Sequence, residues 1–424
     1  MKSTCSRAAA VFFVAIVVAL VASAQGTKTQ GHWVSAWSTA VHTPLAFPGM
    51  PAAAPFENQT VRMVIRPTIA GQRLRVRFSN EFGTTPLAIG SAHIALVKEN
   101  GSIIPGSDRP LTFAGEPSVN IPAGAPMLSD PAELNVPAFA EVAVSVFLPK
   151  KTAPSTFHQL GQHDTYISGA GDFTAAAEIP DAKATRSWYW LAGLEVWTSE
   201  RTMAIVTFGD SITDGAQAKA QYGDWPDQLA DRLAEAKSGS ILAVDNEGIG
   251  GNRILYDGAG VSALTRFDRD VLSQPGVADL IVLEGINDIG WPHMKPFPAR
   301  AGSPMTGNPF AAQVVNATVL IQGFKQIIDR AHQHGIRVFG ATMTPYEGAD
   351  YYTEDGEAVR QAVNQWIRTG GAFDGVFDFD AAVRDPNHPT KFKADLQSGD
   401  YLHPNDAGYK AMAAAINLSS LQTK

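Results

Sequence analysis

The sequence predicts two domains of different fold class: a β-sandwich or jelly-roll-like domain over residues 25–198, and an α/β domain with a doubly wound, parallel, five-stranded sheet over residues 199–424. Three observations predict this division. The chain has 424 residues, which favours two or more domains. Short stretches with period-two alternation fill the first half. In the second half, apolar strands alternate with helical patterns, as they do in parallel sheets.

An apolar leader precedes both domains. Lys2 and Arg7 introduce an apolar run over residues 8–21, and the small residues 22–24 have the pattern of a cleavage site. This predicts a secretory signal peptide at residues 1–24 and a secreted or periplasmic protein. An uncleaved anchor is the alternative, although the run is short for a membrane span. After cleavage we expect no stable membrane insertion.

The composition argues against several classes of function. The formal net charge is −8, whereas a general nucleic-acid binder needs a basic face. The only cysteine is Cys5, inside the predicted signal peptide, so the mature chain would have no disulfide, thiolate metal site or cysteine nucleophile. No histidines are clustered at metal-ligand spacing. We therefore expect no metal, no cofactor and no nucleic-acid partner.

Alternation of side chains marks the strands of the first domain. Apolar residues occupy every second position in three stretches, which predicts half-buried strands: Val61, Met63 and Ile65; Leu74, Val76 and Phe78; and Val142, Val144 and Val146. Glycine and proline separate these stretches. Five tryptophans either belong to the core and the contact between the domains or form a platform for stacking on sugars: Trp33, Trp37, Trp188, Trp190 and Trp197.

The second domain shows five apolar strands with helices between them. The strands are predicted at residues 203–208, 241–244, 280–283, 336–343 and 376–379. Apolar residues at helical spacing predict four helices, around residues 225–233, 320–331, 359–367 and 407–416. Residues 290–310 are rich in proline and follow a strand end. Because such long loops are usually functional, we expect this one to border the pocket.

Ser211 directly follows the first of these strands, where a parallel sheet binds its ligands. A serine hydroxyl needs a base and oxyanion donors to act as a nucleophile. Alternatively, Asp210, Ser211 or Thr213 could serve as the cap of the next helix. His403 is the candidate base. Asp400, three residues earlier, can accept the Nδ1–H of its ring and leave Nε2 facing the serine.

The same Asp-x-x-His motif also occurs at Asp385 and His388. Spacing alone does not separate the two pairs. We favour His403 because it leads straight into the last helix, whereas no clear element follows His388. Pro386 also fixes the backbone just after Asp385.

Oxyanion donors are predicted at the ends of two further strands. Gly250 and Gly251 follow the second strand and allow the backbone to approach a ligand closely. Asn287 follows the third strand and offers a neutral side-chain amide. The backbone N–H of Ser211 would be the third donor.

Four ordered segments, 208–215, 250–251, 285–288 and 400–403, resemble the four blocks of the SGNH (GDSL-type) hydrolase superfamily. The resemblance covers residues 203–416 and implies a three-layer α/β/α fold. Residues 25–198 are similar to the β-rich extension of larger secreted members. The roles implied are nucleophile, base, orienting carboxylate and oxyanion hole: Ser211, His403, Asp400, and the donors of Ser211, Gly251 and Asn287, with Gly250 as the fallback for Gly251.

We therefore expect a secreted serine esterase that acts on O-acyl groups, chiefly acetyl, of carbohydrate, so that an acylated glycan is its partner. Short-chain acyl esters or lysophospholipids are alternative substrates. A non-catalytic carbohydrate-binding protein is a second alternative, and a metal-dependent hydrolase using Asp210, Asp214, Asp288 and His403 is a third. Five residues are tentative substrate contacts: Asp210, Trp291, His293, Tyr346 and Glu347.

Overall fold

The computed structural model describes residues 31–44, 54–159, 161, 163–198, 201–236, 241–298 and 306–421. The predicted signal peptide and residues 299–305 of the predicted long loop lie outside these ranges. Within them, no helix combines the length and the hydropathy that crossing a bilayer requires.

The first half of the chain is built from strands. In the described residues they are β1 His32–Ser38, β2 Gln59–Ile65, β3 Gly71–Ser79, β4 Leu87–Ile89, β5 Ser91–Glu99, β6 Ser102–Ile103, β7 Arg109–Pro110, β8 Val119–Ile121, β9 Pro126–Leu128, β10 Ala132–Val136, β11 Val142–Leu148, β12 Phe157–His158, β13 Thr165–Ala170, β14 Lys183–Thr185, β15 Trp188–Tyr189 and β16 Leu191–Thr198.

Two antiparallel sheets dominate this half. One has the order β1-β16-β3-β10 with β9 beside β3, and the other has the order β14-β13-β2-β11-β5-β6 with β7 beside β5. The alternating residues predicted to be buried, such as Val76 of β3 and Val144 of β11, have 0% exposure and share one hydrophobic cluster. The first half is therefore β-rich, as the sequence predicted.

Arg62 departs from the expected half-buried pattern. It lies on the opposite face of β2 from Val61 and Met63, yet its exposure is 0%. Its guanidinium donates to the Ser145 hydroxyl at 2.8 Å and to the Ala176 carbonyl at 2.7 Å. The segment that contains Ala176 thus covers this face of the sheet, which the alternation of a single strand could not reveal.

The second half contains the predicted parallel sheet of five strands. Its strands are β17 Thr202–Gly209, β18 Ile241–Gly248, β19 Val277–Leu283, β20 Arg337–Ala341 and β21 Gly375–Phe377. Their order is β18-β17-β19-β20-β21, with every neighbouring pair parallel. This is a doubly wound order, in which ligands bind beyond the carboxyl ends of the strands where the order reverses.

Helices cover both faces of this sheet. Val206 of β17 packs in a cluster with Phe324 and Val363 on one face, whereas Ile205 packs with Leu229 and Met412 on the other. The α-helices in the described residues are α1 Ser211–Asp214, α2 Trp225–Ala236, α3 Ala263–Phe267, α4 Ile286–Gly290, α5 Ala317–Gln333, α6 Glu354–Thr369, α7 Phe379–Val383, α8 Asp406–Ala414 and α9 Leu418–Leu421. A π-helical segment covers Asp268–Leu272 and a 3-10 helix covers Trp291–His293.

The β-rich half packs against the edge of the parallel sheet. Thr39 forms a parallel bridge with Asn246 of β18, and the Ser35 N–H of β1 donates to the Pro275 carbonyl, just before β19, at 2.9 Å. Ala204 and Ala243 also belong to the hydrophobic cluster of the two antiparallel sheets. The predicted domain limits at residues 25, 198 and 199 stay a prediction.

Candidate active site

Ser211 is held at a sharp exit from the central strand. Gly209 ends β17, and a Cβ there would lie 2.5 Å from the Leu283 carbonyl, so no larger residue fits. The Asp210 carboxylate accepts the Ile212 N–H at 2.9 Å and caps α1, whose first residue is Ser211. Ser211 is 9% exposed and lies just beyond the carboxyl end of β17.

His403 reaches this hydroxyl from the far end of the chain. The Ser211 Oγ and the His403 Nε2 are 2.8 Å apart, and the other ring nitrogen, Nδ1, lies 2.6 Å from the Asp400 Oδ2. The predicted hydroxyl, imidazole and carboxylate are thus brought into one hydrogen-bonded line. Asn405 then caps α8 by accepting the Gly408 N–H, which fixes the loop just after His403.

Asp400 is itself fixed by its second oxygen. Oδ1 accepts the N–H groups of Leu402 and His403, each at 2.9 Å, and the Ser398 hydroxyl at 3.0 Å. Burial alone would raise the pKa of Asp400, but its hydrogen bonds with His403 outweigh burial and hold that pKa below its ordinary value. The carboxylate therefore stays ionised and keeps the imidazole oriented.

His388 occupies a different environment from His403. It lies exposed in a turn in which Asp385 accepts the Asn387 N–H at 2.8 Å. Within the described part of the chain, the His388 ring has no hydrogen-bond partner. The two Asp-x-x-His motifs therefore differ in their position in the fold. Only the histidine of the second motif, His403, contacts Ser211.

Among the described residues, the backbone N–H groups of Ser211 and Gly251 have no hydrogen-bond acceptor. The neighbouring Gly250 N–H is occupied, since it donates to the Asp214 Oδ2 at 3.1 Å. Gly251 has φ +80°, and a Cβ there would lie 2.7 Å from the Trp291 ring. Both the backbone conformation and the close indole therefore require glycine at this position.

Asn287 is buried, with 3% exposure, and both ends of its amide are fixed. Its Nδ2 donates to the Asn252 carbonyl at 3.0 Å, while its Oδ1 accepts the Tyr351 hydroxyl at 3.2 Å. The atom that faces a carbonyl must be the nitrogen, which determines the orientation of the amide. One N–H of Nδ2 remains for a ligand. No local pattern in the sequence points to Tyr351, because its partner lies 64 residues away.

Arg266 forms hydrogen bonds with the strand ends that precede Ser211 and the Gly251 loop. It has 1% exposure, and its guanidinium donates to the Gly209 carbonyl at 2.9 Å, the Glu247 carbonyl at 2.7 Å and the Asn252 Oδ1 at 2.9 Å. These contacts join β17, β18 and the loop after β18. Sequence reasoning missed Arg266, because α3 carries no motif that distinguishes a buried arginine from an exposed one.

The structure corrects two of the tentative substrate contacts. Tyr346 has 0% exposure and packs in the hydrophobic cluster with Tyr351, so it cannot meet a substrate from solvent. Asp210 has 1% exposure and serves as the cap of α1, and burial raises its pKa to about 7. Capping was the alternative that the sequence had left open for Asp210.

The other three tentative contacts lie in different settings. Trp291 is 5% exposed and forms the wall behind Gly251, where its ring lies 4.6 Å from that of Phe310. Glu347 binds the Thr390 hydroxyl and, at 3.2 Å, the Lys391 amine. Its hydrogen bond with Thr390 is the main reason why the pKa of Glu347 is lowered. His293 is exposed. The structure brings none of the three into contact with Ser211.

The carboxylates of the metal-dependent alternative bind separate partners. Asp288 accepts the N–H groups of Ile254 at 2.7 Å and Leu255 at 3.0 Å, while Asp210 accepts that of Ile212. Across the described ranges, no three His, Cys, Asp or Glu side chains are arranged to hold a metal ion. The carboxylates are thus already engaged in holding the loops.

Comparison with known proteins gives one family match. Residues 207–411 match the model described as the GDSL-like Lipase/Acylhydrolase family. No curated protein matches the chain in sequence.

Several solved structures are similar at low identity. The acetyl xylan esterase AlAXEase is 19% identical over 52% of this chain and 100% of its own, with a TM-score of 0.36. A putative lipolytic protein of the G-D-S-L family from Desulfitobacterium hafniense DCB-2 is 19% identical over 52% of this chain and 98% of its own, with a TM-score of 0.35. A GDSL-like lipase from Bacteroides thetaiotaomicron VPI-5482 is 18% identical over 51% and 87%, with a TM-score of 0.35.

Proposed function

Residues 207–411 form a GDSL-like lipase/acylhydrolase domain, and from that premise we propose that the chain is a secreted serine esterase that removes O-acyl groups, chiefly acetyl, from carbohydrate. The family makes the chain an ester hydrolase. What we propose is the role of each residue and the class of substrate. One observation carries the proposal: the line of short contacts from Ser211 through His403 to Asp400.

The first half of the reaction forms an acyl-enzyme. The Ser211 Oγ attacks the ester carbonyl while the His403 Nε2 takes the hydroxyl proton. The negative charge that develops on the carbonyl oxygen is stabilised by the N–H groups of Ser211 and Gly251 and by the free N–H of Asn287. The tetrahedral intermediate then collapses, the C–O bond to the alcohol breaks, and His403 returns the proton to the leaving alcohol.

The second half repeats these steps with water. His403 removes a proton from a water molecule, which attacks the acyl carbonyl, and the same three donors stabilise the oxyanion. The bond to the Ser211 Oγ breaks and the proton returns to that oxygen. Asp400 stabilises the imidazolium in both halves without taking its proton. Ester and water are thus converted into acid and alcohol, with the enzyme regenerated.

Tyr401 supports a carbohydrate as the alcohol part of the ester. It lies between Asp400 and His403, has 51% exposure and adopts φ 61°, which is uncommon for a bulky residue. Its ring rests on Gly348, where a Cβ would come within 2.8 Å of it. An exposed aromatic ring held in place beside the base can stack on the apolar face of a sugar ring.

The rest of the proposal concerns export and the first half of the chain. We propose that residues 1–24 are a cleaved signal peptide and that residues 25–198 form a β-sandwich-like domain of a secreted enzyme. The shared hydrophobic cluster of the two antiparallel sheets supports the sandwich. The leader pattern of the sequence supports export, which gives the enzyme access to extracellular glycans.

A substrate panel tests the proposal. Acetylated oligosaccharides would be compared with p-nitrophenyl esters of increasing acyl length and with a lysophospholipid, using Ser211→Ala as the blank. We expect kcat/KM to be highest for acetylated sugars and to fall as the acyl chain lengthens. A rise in kcat/KM with chain length, or a preference for the lysophospholipid, would contradict the carbohydrate assignment.

A further inference from the structure

A histidine of the β-rich half reaches into the GDSL-like domain. His158 ends β12 and is 2% exposed. Its Nδ1 lies 2.8 Å from the Ala40 carbonyl, and its Nε2 lies 2.9 Å from the Oδ1 of Asp214, which is 56 residues further along the chain. Nothing in the esterase mechanism above uses His158.

The partners of His158 determine its protonation. A carbonyl oxygen and a carboxylate oxygen both accept hydrogen bonds, so each ring nitrogen that faces one carries a proton. Burial alone would lower the pKa of His158, but the negative charge and hydrogen bond of Asp214 outweigh burial and raise that pKa. The ring is therefore an imidazolium, in a buried ion pair with Asp214.

Asp214 connects this pair to the catalytic loops in two ways. It is the last residue of α1, the four-residue helix that Ser211 begins. Its second oxygen, Oδ2, accepts the Gly250 N–H at 3.1 Å. The residue after Gly250 is Gly251, whose N–H has no acceptor in the described part of the chain. One carboxylate thus spans the short gap between the nucleophile helix and the oxyanion loop.

The surroundings of Asp214 leave its carboxylate little freedom. A Cβ at Gly248 would lie 2.2 Å from the Asp214 N, so strand β18 and helix α1 are in direct contact. The Asn246 Nδ2 donates to the Thr213 carbonyl at 2.8 Å and holds the same helix from the side. On the side of the β-rich half, His158 contacts the remaining oxygen of the Asp214 carboxylate, Oδ1. Without His158, Oδ1 would be buried with no donor, and the carboxylate would turn to find one.

We propose that His158 is a positioning residue of the esterase site, through which the β-rich half of the chain fixes Asp214 and, by way of the Gly250 N–H, the direction of the oxyanion donor at Gly251. This inference rests on the proposed function, because it assigns Gly251 to the oxyanion hole. It gives the β-rich half a role in catalysis besides any role in binding.

Two substitutions of His158 separate its two hydrogen bonds. His158→Asn places an amide near the former Nδ1 and can keep the bond to Ala40, but it cannot reach Asp214. His158→Gln places its amide near the former Nε2 and keeps the donor to Asp214. A merely structural role predicts that both variants lose stability and that neither changes the chemical step selectively.

His163→Ala is the control for lost stability. The His163 ring stacks between Trp188, at 5.3 Å, and Tyr222, at 4.6 Å, and has no hydrogen bond to Asp214. Each variant would be assayed with p-nitrophenyl acetate for kcat and KM and titrated with a small alkylboronic acid, which forms a tetrahedral adduct on the serine. Melting temperature would be measured for all of them.

We expect His158→Asn to lower kcat about 10- to 100-fold with little change in KM, since small displacements of catalytic groups have effects of this size. The affinity for the boronic acid should fall in parallel. His158→Gln should restore most of both losses, and His163→Ala should lower only the melting temperature. The inference is overturned if the Asn and Gln variants lose kcat equally, or if boronic acid affinity is unchanged in both.

Asp214→Ala provides a second route if His158→Asn does not fold. It should show the same selective fall in kcat and in boronic acid affinity, because it removes the carboxylate that accepts from both His158 and the Gly250 N–H. Full kcat in Asp214→Ala would overturn the inference. Activity in Ser211→Ala would instead overturn the proposed function, and a poor rate with acetylated sugars alone would overturn only the substrate class.

Discussion

The Oγ of Ser211 lies 2.8 Å from the Nε2 of His403, although 192 residues separate them in the chain. Ser211 is placed there by the end of β17, and His403 by the loop that enters α8. The two elements reach the same edge of the sheet from distant parts of the chain. The contact between them therefore depends on the correct packing of both. Changes at either residue should affect catalysis while leaving the fold in place.

Ser211→Ala should abolish ester hydrolysis. The loss of the nucleophile should lower kcat for p-nitrophenyl acetate by at least about 10⁴-fold, since serine hydrolases that lose this residue retain only the effect of binding and of the oxyanion hole. The melting temperature should stay close to that of the wild type, because the hydroxyl removed makes no packing contact in the core. Retained turnover would remove Ser211 from the mechanism.

His403→Ala and His388→Ala form a matched pair. The first variant loses the group that lies next to Ser211 and should be nearly inactive, whereas the second changes an exposed turn and should keep wild-type kcat. Stopped-flow or steady-state hydrolysis of p-nitrophenyl acetate measures both. The opposite pattern would show that the Asp-x-x-His pair at 385–388 is the functional one.

Short sequence motifs predicted Ser211, Asp400 and His403. Each of these residues lies in a short stretch whose neighbouring residues also determine its geometry. Asp400, for example, binds the backbone N–H of His403 as well as its ring, so a spacing of three residues carries both contacts. The five parallel strands were predicted for the same reason. Their apolar runs are continuous in the sequence, since both faces of the sheet are covered.

The residues that the sequence did not reveal depend on distant partners. Tyr351, Arg266 and His158 act through contacts with residues between 14 and 118 positions away, and no local pattern records such contacts. Tyr346 shows the converse. It lies in a loop after a strand end, as a rim residue would, yet its side chain points into the core. Outside regular periodicity, a local sequence pattern does not indicate which way a side chain points.

Asn287→Ala should lower kcat by about 10²- to 10³-fold with little effect on KM, the usual cost of losing one oxyanion donor. Tyr351→Phe should have a smaller effect in the same direction, about 10-fold, because the amide keeps its bond to Asn252 but loses the donor to Oδ1. Single-turnover rates of acylation measure both. If Tyr351→Phe proved more harmful than Asn287→Ala, the tyrosine would have a role of its own in the reaction.

Tyr401→Ala should raise KM for an acetylated oligosaccharide about 5- to 10-fold, because the exposed ring would no longer stack on the sugar. Ethyl acetate, whose alcohol is too small to reach the ring, serves as the control substrate and should be hydrolysed at an unchanged rate. Tyr401→Phe keeps the ring and should behave as the wild type. Equal losses on both substrates would mean that Tyr401 shapes the loop of His403 instead of binding the sugar.

Asp245 should make the protein less stable as the pH rises. The side chain lies on β18 and has 0% exposure, and burial raises its pKa to about 7. The unfolded chain has an ordinary aspartate pKa near about 4. Between these two values the folded state binds the proton and the unfolded state does not. The stability that Asp245 contributes is thus fully present below about pH 4 and is lost as the pH rises through about 7.

Asp245→Asn should therefore flatten the pH dependence of unfolding, because an asparagine does not titrate. We expect the wild type to lose free energy of unfolding between pH 5 and pH 7 by up to about 1.4 kcal/mol per pH unit more than the variant does. Urea titrations at pH 5, 6, 7 and 8 measure the free energy of unfolding of both proteins. The slope of their difference against pH does not change if the amide destabilises the variant by the same amount at every pH. Asp329 on α5 gives the control, since it is exposed and Asp329→Asn makes the same chemical change without altering a buried group. Parallel curves for Asp245→Asn and the wild type would mean that the carboxylate is solvated in the folded protein, which its complete burial beside β1 does not allow.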